Sequence, residues 1–258
     1  MRKDIDVTGD GHVATIEIRR PPFNYFDLEL IKSIADALES IDADPRIRAI
    51  VLASQGTAFC AGANFNPPAS EEMPNANRLD NGDLYKEAVR IFRNKKPIVA
   101  AVHGAAIGGG LGLAMSADFR VTCPEARFSA NFTRLGFHPG FGLTVTLPAV
   151  IGRTHAELMF YTSRRVTGEQ ALAMGLANVL VQQDQVRAAA VALAQEIAEC
   201  SPLGLISTRA SMRAGLADRV REATAHELDE QNRLRQTDDF REGVRSTAER
   251  RVANFMGR

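Results

Sequence analysis

The sequence has no excess of charge of either sign. Its 258 residues include 31 Lys and Arg and 31 Asp and Glu, so the formal net charge at pH 7 is zero. Nucleic acids and anionic membranes attract proteins through clustered positive charge, so this balance excludes the usual electrostatic basis for either partner. The carboxyl-terminal third is rich in charged residues of both signs, which favours a solvated face or a subunit contact over a polyelectrolyte site.

Cysteine is scarce and long apolar runs are missing. Cys60, Cys123 and Cys200 are far apart and odd in number, which excludes a disulfide scaffold and suits a reducing compartment. The amino terminus has no apolar signal segment, and no run reaches the roughly 18 apolar residues of a membrane span. No His or acidic residues have the spacing of metal ligands. We therefore expect a cytoplasmic protein without a metal or a membrane partner.

The first half of the chain shows clear local patterns. Residues 3–20 alternate apolar and polar side chains around Gly9-Asp10-Gly11, which predicts a β-hairpin. Asp27 can cap a following helix whose apolar residues share one face, namely Leu30, Ile31, Ile34, Leu38 and Ile41. Residues 66–82 contain three prolines and no periodicity, which indicates either a loop that shapes a pocket or a segment without fixed structure.

The most informative stretch is residues 97–118, in which an apolar run leads into a glycine-rich turn. Residues 97–102 are apolar and rich in β-branched side chains, as in a buried parallel strand. Gly108-Gly109-Gly110 follows, and an apolar helical run then ends at Asp118. Glycine loses the most conformational freedom on folding, so three in succession indicate a need for bare backbone. Exposed N–H groups at the start of a helix favour negative charge.

Nucleotide-binding motifs do not fit this turn. No Lys follows the glycines as in a phosphate-binding loop, and Leu113 and Met115 occupy the positions where a G-x-G-x-x-G fingerprint requires its last glycine. Two uses remain: an oxyanion hole, which stabilises the charge that develops on a carbonyl oxygen, and a glycine-rich surface for helix packing. The glycine run by itself leaves both open.

A second small-residue bend lies upstream, in residues 56–66. It follows the strand-like run at 47–54, so it lies at the carboxyl end of a strand, where open α/β sheets bind ligands. Two such bends, each contributing backbone donors, can hold one oxygen between them.

Together the two bends carry a family resemblance. A-F-C-A-G-A-N-F, followed by K-P-I-V-A-A-V-H-G-A-A-I-G-G-G-L-G-L-A-M-S-A-D-F-R, resembles the crotonase (enoyl-CoA hydratase/isomerase) superfamily, and the likeness covers nearly the whole chain. It implies an α/β fold, a spiral of repeated β-β-α units, with a helical carboxyl-terminal region. We place the core at residues 1–184 and the helical region at residues 185–258, where contacts of a homotrimer or a dimer of trimers are expected.

The resemblance also implies a substrate and its contacts. The substrate is an acyl-CoA thioester, with coenzyme A as part of the substrate and no separate cofactor. The N–H groups of Ala63 and Gly109 are expected to hold the thioester carbonyl oxygen. Further substrate contacts are expected from the two bends and the loop after the second, at Ala61, Ala63, Asn64, Phe65, Asn66, Gly109 and Phe132.

The carboxylates of family hydratases are missing. Alignment on the glycine motif and on R-F-S-A-N-F-T-R-L-G puts Gly112 and Phe132 at the two glutamate positions. Gly140 aligns with a third position, where some isomerases and dehalogenases have an acid. A pair of carboxylates holds and activates the water in hydration, so the sequence predicts a reaction other than ordinary hydration.

His138 is the best remaining candidate for an acid or base. It lies on the loop of the missing acids between Phe137 and Pro139, and imidazole exchanges protons near neutral pH. The alternative is a packed histidine with a satisfied N–H. Cys60 is interpreted as a small buried thiol because no base is placed to activate it. Asp118 and Arg120 are predicted to form an ion pair that stabilises the fold.

Three functional hypotheses follow. The first is an enzyme that acts on an acyl-CoA through an enolate, with Ala63 and Gly109 as oxyanion donors. The second is an acyl-CoA-binding protein of the same fold without turnover, which the loss of carboxylates favours. The third is a nucleotide-dependent α/β enzyme, which the missing fingerprints argue against.

Overall fold

The computed structural model describes residues 4–65 and 81–258. The predicted contact residue Asn66 and all but the end of the predicted loop at 66–82 lie outside the described residues. The strands are β1 (Ile5–Asp10), β2 (Val13–Ile18), β3 (Ala49–Ser54), β4 (Ala58–Cys60), β5 (Ile98–Val102), β6 (Ala105–Ile107), β7 (Phe119–Thr122), β8 (Arg127–Ser129), β9 (Val166–Thr167) and β10 (Val179–Leu180).

The helices fall between these strands and after them. They are α1 (Leu28–Ala43), α2 (Asn81–Phe92), α3 (Gly109–Ser116), α4 (Leu143–Ile151), α5 (Arg153–Thr162), α6 (Gly168–Ala173), α7 (Val186–Ala198), α8 (Pro202–Met212), α9 (Leu216–Leu234) and α10 (Asp238–Ala248). Two short 3₁₀ helices span Thr133–Leu135 and Gln183–Gln185.

The strands form two sheets that the chain visits in turn. One has the order β1-β2-β3-β5-β7-β10 and the other the order β4-β6-β8-β9. β3, β5 and β7 each belong to the first sheet, and each is followed by a short strand of the second sheet and then by a helix. The pairs β3–β5, β5–β7, β4–β6 and β6–β8 are all parallel. This repetition confirms the predicted α/β fold of β-β-α units.

The first hairpin and helix form where the sequence predicts them. β1 and β2 pair antiparallel from Ile5–Ile18 to Asp10–Val13. The Asp27 carboxylate accepts a hydrogen bond from the Leu30 N–H at 3.0 Å, as an N-cap does. The apolar face of α1 is buried, so the helical period was a reliable guide.

Two short strands of the second sheet, β4 and β6, were not predicted as strands. Ala105–Ile107 was interpreted as part of a turn into the helix, but it forms β6 between β4 and β8. Three-residue strands between glycines are too short to show an alternating pattern. Their role is positional, because β4 and β6 bring the two small-residue bends side by side.

The carboxyl-terminal helices pack on the core. α7 contacts β3, β5 and β7, and α9 contacts α2 and α4. The boundary at residue 184 and the trimer remain predictions. None of the described helices is by itself long and apolar enough to cross a membrane; only the bent pair Gln183–Ala198 and Pro202–Met212 meets the criteria jointly, at an angle of 106°.

The predicted ion pair between Asp118 and Arg120 is wrong. The Asp118 carboxylate instead binds Arg209 at 2.9 Å and Arg213 at 3.0 Å, both near the end of α8. The Arg120 guanidinium donates to the backbone carbonyls of Ala117 and Leu176. Residues that are close in sequence were not the partners, because α8 brings two cations to Asp118 from about 90 residues away.

Candidate functional site

A cavity of about 80 Å³ lies where β4 and β6 end next to each other. Its described wall combines backbone of the two bends, aromatic rings from several loops, and a few polar side chains. The lining residues are Phe26, Ala61, Gly62, Ala63, Phe65, Leu84, Tyr85, Ile107, Gly108, Gly109, Asn131, Phe132, Leu135, Phe137, Gly140, Phe141, Gln231 and Arg235.

The first bend presents the Ala63 amide to this cavity. Gly62 has φ +80°, a conformation that L side chains rarely adopt, and its carbonyl accepts from the Phe26 N–H at 3.0 Å. The Ala61 N–H donates to the Phe23 carbonyl at 2.9 Å. Within residues 4–65 and 81–258 the Ala63 N–H has no acceptor. The bend is therefore held by its neighbours while one donor is left for a ligand.

The second bend presents the Gly109 amide. Gly108 has φ +55°, and its N–H donates to the Ser129 carbonyl at 2.8 Å. α3 begins at Gly109, so the Gly109 N–H has no partner inside the helix. No other described residue accepts from it. The positive end of the helix dipole lies at the same point.

The two bends are in close contact. A Cβ atom added to Gly62 would lie 2.7 Å from the Ile107 carbonyl oxygen and 3.7 Å from the Gly109 nitrogen. Both Ala63 and Gly109 line the cavity. Two backbone donors without described acceptors therefore share one cavity wall, an arrangement that can bind an oxygen bearing negative charge.

Part of the glycine run serves packing. A Cβ on Gly110 would lie 2.0 Å from the Cys60 carbonyl oxygen, so this glycine is needed for α3 to approach β4. A Cβ on Gly109 would lie 2.2 Å from the Phe26 ring, which lines the cavity. Packing therefore requires a glycine at both positions, against β4 at Gly110 and against Phe26 at Gly109, and Gly109 in addition lines the cavity.

Most of the predicted contact residues are brought together. Ala61, Phe65 and Phe132 line the cavity with the two amides. Asn64 is exposed and is not part of the described lining. Asn66 lies outside the described residues.

Of the three positions without the family carboxylate, Phe132 lines the cavity, and the two glycines are enclosed by other side chains. At Gly112, which is not part of the described lining, an added Cβ would lie 2.7 Å from the Phe141 Cβ. At Gly140 an added Cβ would lie 2.0 Å from the Tyr85 hydroxyl oxygen and 2.5 Å from the Gln231 Nε2. The space beside both glycines is therefore filled by other side chains.

The described lining contains no Asp, Glu or His. Its polar side chains are those of Tyr85, Asn131, Gln231 and Arg235, and none of these was identified from the sequence. Across the described part of the chain no group of three or more His, Cys, Asp or Glu residues could hold a metal ion.

Two of the missed residues lie on one stripe along and just beyond α9. Val220, Thr224, Glu227, Gln231 and Arg235 recur every three or four residues and are buried, on a helix that contacts α2 and α4. The spacing is that of a buried helix face, but the side chains are mostly polar, so the pattern was interpreted as a solvated face or a subunit contact. The helical spacing of these residues was the one feature of the sequence from which the buried face could have been predicted.

Glu227 organises the loop around Gly140. Its carboxylate accepts from the Gly142 N–H at 2.8 Å and from the Thr144 hydroxyl at 2.6 Å, which caps the start of α4. Burial raises the pKa of Glu227, while these hydrogen bonds act in the opposite direction. The carboxylate is not part of the described cavity wall, so its role is to hold the turn that contains Gly140 and Phe141.

Cys60 is a small buried thiol, as the sequence indicated. The side chain is fully buried next to the first bend, and burial raises the pKa of the thiol to about 12. The reactive thiolate is therefore not formed near neutral pH.

His138 is not part of the described cavity wall. Its ring lies 5.7 Å from the ring of His226, and its Nδ1 lies 2.8 Å from the Pro139 carbonyl oxygen. The backbone carbonyl of His138 accepts from the Gln231 Nε2, so the backbone of this residue supports the cavity while the side chain does not line it. Its role as acid or base stays a prediction without support from this geometry.

We expect His138→Ala to change acyl-CoA turnover by less than about threefold, because the carbonyl bonded to Gln231 is kept. Loss of a true general acid or base would cost about 10²–10⁴-fold. Steady-state rates of His138→Ala, with His226→Ala as the matched control, distinguish the two. A fall of two orders of magnitude in the first variant alone would restore the histidine as a catalytic residue.

Known proteins resemble this chain in sequence and in fold. The chain matches the family model described as enoyl-CoA hydratase/isomerase over residues 8–258. It is 29% identical over 262 residues to the crotonyl-CoA hydratase of Syntrophomonas wolfei, covering 99% of each chain. It is also 29% identical over 263 residues to the carnitinyl-CoA dehydratase of Salmonella typhi, covering 100% of each. A crystal structure of an enoyl-CoA hydratase/isomerase from Pseudoalteromonas atlantica superposes with a TM-score of 0.86 at 26% identity, covering 98% of this chain and 100% of that one.

Proposed function

We propose that this chain, which belongs to the enoyl-CoA hydratase/isomerase family, binds an acyl-CoA thioester with its carbonyl oxygen between the N–H groups of Ala63 and Gly109. It is a crotonase-family enzyme, and the proposal concerns which chemistry its site performs. The observation that carries the proposal is that both amides line one cavity and have no acceptor among the described residues.

Such a site promotes enolate chemistry. When a proton or another group leaves the α-carbon, negative charge moves onto the thioester oxygen. Backbone donors fixed by the two bends, together with the start of α3, stabilise that charge without having to reorganise during the reaction. One oxyanion donor is typically worth about 3–4 kcal/mol of transition-state stabilisation.

The reaction we propose is an enolate reaction other than two-carboxylate hydration. The described lining offers no carboxylate, and Gly112 and Gly140 have no space for one. Tyr85 is an unsuitable base, since burial raises the pKa of its hydroxyl well above the usual range. We expect proton exchange at the α-carbon, isomerisation or cleavage to proceed faster than water addition.

Turnover and binding measured in parallel test the proposal. A panel of saturated, unsaturated and branched acyl-CoA thioesters is incubated in D₂O, and products and α-carbon deuteration are followed by mass spectrometry. Calorimetry on the same panel gives affinities. Exchange or product formation supports an enolate enzyme. Tight binding without either outcome would indicate a protein that binds acyl-CoA without turnover, and absence of binding would refute the thioester site.

Placing a glutamate at position 112, where family hydratases have one, is not expected to give hydratase activity. Gly112→Glu should give no measurable hydration of crotonyl-CoA, because its Cβ would collide with Phe141. We expect a loss of about 1–3 kcal/mol in the free energy of unfolding from this overpacking. Absorbance at the enoyl thioester band measures hydration, and urea unfolding measures stability.

Gly112→Ala is the matched control, since it adds the same Cβ without the carboxylate. Combining Gly112→Glu with Phe141→Ala should recover part of the lost stability. Rapid hydration by Gly112→Glu alone would show that Phe141 yields readily and that the missing glutamate is the sole obstacle.

A further inference from the structure

One polar side chain of the cavity wall has no hydrogen-bond partner among the described residues. Asn131 lines the cavity and is partly buried, in the turn between β8 and the 3₁₀ helix at Thr133–Leu135. The other polar lining side chains, those of Tyr85, Gln231 and Arg235, are joined to one another by hydrogen bonds. Within the described part of the chain no group bonds to the Asn131 carboxamide. A carboxamide offers two N–H donors and a carbonyl acceptor, and leaving them unused inside a cavity points to a ligand.

Asn131 is held next to the second bend. β8 ends at Ser129, and the Ser129 carbonyl accepts from the Gly108 N–H at 2.8 Å. A Cβ atom added to Gly108 would lie 3.2 Å from the Asn131 Oδ1 and 3.7 Å from the tip of the Phe132 ring. Since glycine has no side chain, the carboxamide and this ring occupy the space beside the residue that precedes Gly109. The carboxamide is therefore a neighbour of the Gly109 N–H, and its Nδ2 can turn toward a ligand because no bond fixes it.

This place is where the first carbons of a bound acyl group lie. In the proposed function the thioester oxygen is held by the N–H groups of Ala63 and Gly109, so the α- and β-carbons lie within a few bond lengths of the second bend. The neighbouring wall is the apolar Phe132 ring. An oxygen on the β-carbon is the substituent that a carboxamide N–H can bind here, whereas a plain acyl chain offers it no acceptor.

A β-carbonyl also suits a cavity whose described lining contains no Asp, Glu or His. The α-carbon of a simple acyl thioester is a weak acid, so its deprotonation requires a well-placed base. With a second carbonyl at the β-carbon, the negative charge of the enolate is shared by two oxygens, and the proton leaves to water or buffer far more readily. Three neutral donors, from Ala63, Gly109 and Asn131, can then hold the two oxygens.

We propose that the Asn131 carboxamide donates a hydrogen bond to the β-oxygen of 3-oxoacyl-CoA thioesters and that the site binds these thioesters as enolates. This inference rests on the proposed function and names its substrate class. The proton leaves the α-carbon for solvent, and the electron pair of that C–H bond becomes the enolate, so no oxidant or further reactant takes part. Hydrogen bonds to a charged oxygen are stronger than neutral ones, and more so in a site shielded from water.

Binding of a matched pair of thioesters tests the inference. Acetoacetyl-CoA and butanoyl-CoA have the same number of acyl carbons and differ in the 3-oxo oxygen. We expect the wild-type protein to bind acetoacetyl-CoA at least about tenfold more tightly in calorimetry, as one charge-assisted contact would give. Asn131→Leu, which keeps the size and removes the donor, should lower this ratio about tenfold by weakening acetoacetyl-CoA alone. Asn232→Leu, the same change at an exposed position of α9 outside the described lining, should leave the ratio unchanged.

The enolate itself gives a second readout. Its near-ultraviolet absorbance is followed against pH in magnesium-free buffer, because Mg²⁺ by itself stabilises this enolate. Acetoacetyl-CoA bound to the wild-type protein should ionise at lower pH than acetoacetyl-CoA free in solution. Asn131→Leu should move the midpoint of the bound ligand upward by about one pH unit, which corresponds to the same tenfold change. A merely structural role of Asn131 would not move this midpoint.

The outcomes separate this inference from the proposed function. Equal binding of the two thioesters by the wild-type protein would overturn the inference alone, and failure of both to bind would overturn the proposed thioester site with it. A full preference retained in Asn131→Leu would mean that the oxyanion amides alone hold the enolate, which would overturn the role of Asn131. If Asn131→Leu does not fold, as judged by circular dichroism, Asn131→Asp keeps the size, and its negative charge should lower the preference for acetoacetyl-CoA. An unchanged or higher preference in Asn131→Asp would count against the contact.

Discussion

Replacing Gly109 by proline is expected to lower acyl-CoA turnover by about 10²–10³-fold, the usual cost of one oxyanion donor. Proline has no N–H, and Gly109 contributes its N–H to the cavity wall. The helix itself should tolerate the change, because Gly109 is the first residue of α3 and proline is well accommodated at that position. The measurement is the rate of product formation or α-carbon deuteration with the best thioester of the panel.

Steric effects must be separated from loss of the donor. Any side chain at position 109 would bring its Cβ to within 2.2 Å of the Phe26 ring. We therefore compare Gly109→Pro with Gly109→Ala, both in a Phe26→Ala background, since alanine adds the Cβ but keeps the N–H. Equal rates in the two double variants would mean that the Gly109 amide does not stabilise the transition state.

Much of the fold could be predicted from local sequence patterns. The hairpin, the capped helix α1 and the strand before the glycines could be predicted because each shows its period or cap within a few residues. The resemblance supplied the architecture. The short strands β4 and β6 escaped, because three residues are too few to show a period.

The backbone part of the candidate site was accessible from sequence and its polar side chains were not. Ala63 and Gly109 lie in glycine motifs that stand out locally, and both line the cavity. Tyr85 and Gln231 are 146 positions apart and meet only because α9 packs on α2. Alignment revealed that acids are missing at Gly112 and Gly140, but only the packing shows that Phe141, Tyr85 and Gln231 fill the space beside them.

The ion pairs of Asp118 were missed for the same reason, because its partners are distant in sequence. Sequence proximity suggested Arg120 as its partner, whereas tertiary packing supplies Arg209 and Arg213. A charge at the end of the α3 segment therefore fixes α8 to the core. The Asp118 carboxylate also accepts a hydrogen bond from the Ile98 N–H at 2.8 Å. Ile98 begins β5, the strand that leads to the second bend.

Asp118→Asn is expected to lower the free energy of unfolding by about 3–5 kcal/mol, the range for breaking a buried ion pair by removing one partner. The Asp118 side chain is 17% exposed, and its loss of charge would leave the buried Arg209 and the partly buried Arg213 without their shared carboxylate. Burial already lowers the pKa of Arg213, and the nearby carboxylate opposes that shift. Urea unfolding at neutral pH, followed by circular dichroism at one fixed protein concentration, gives the change.

Glu157→Gln is the matched control for this prediction. Glu157 pairs with Arg153 at 2.6 Å across an exposed helix surface, where an ion pair contributes at most about 1 kcal/mol. Adding Arg209→Met to Asp118→Asn should cost less than the sum of the single changes, because the second substitution removes one of the cations left unpaired. Similar small losses in Asp118→Asn and Glu157→Gln would mean that α8 is held by apolar packing and that the charged cluster contributes little.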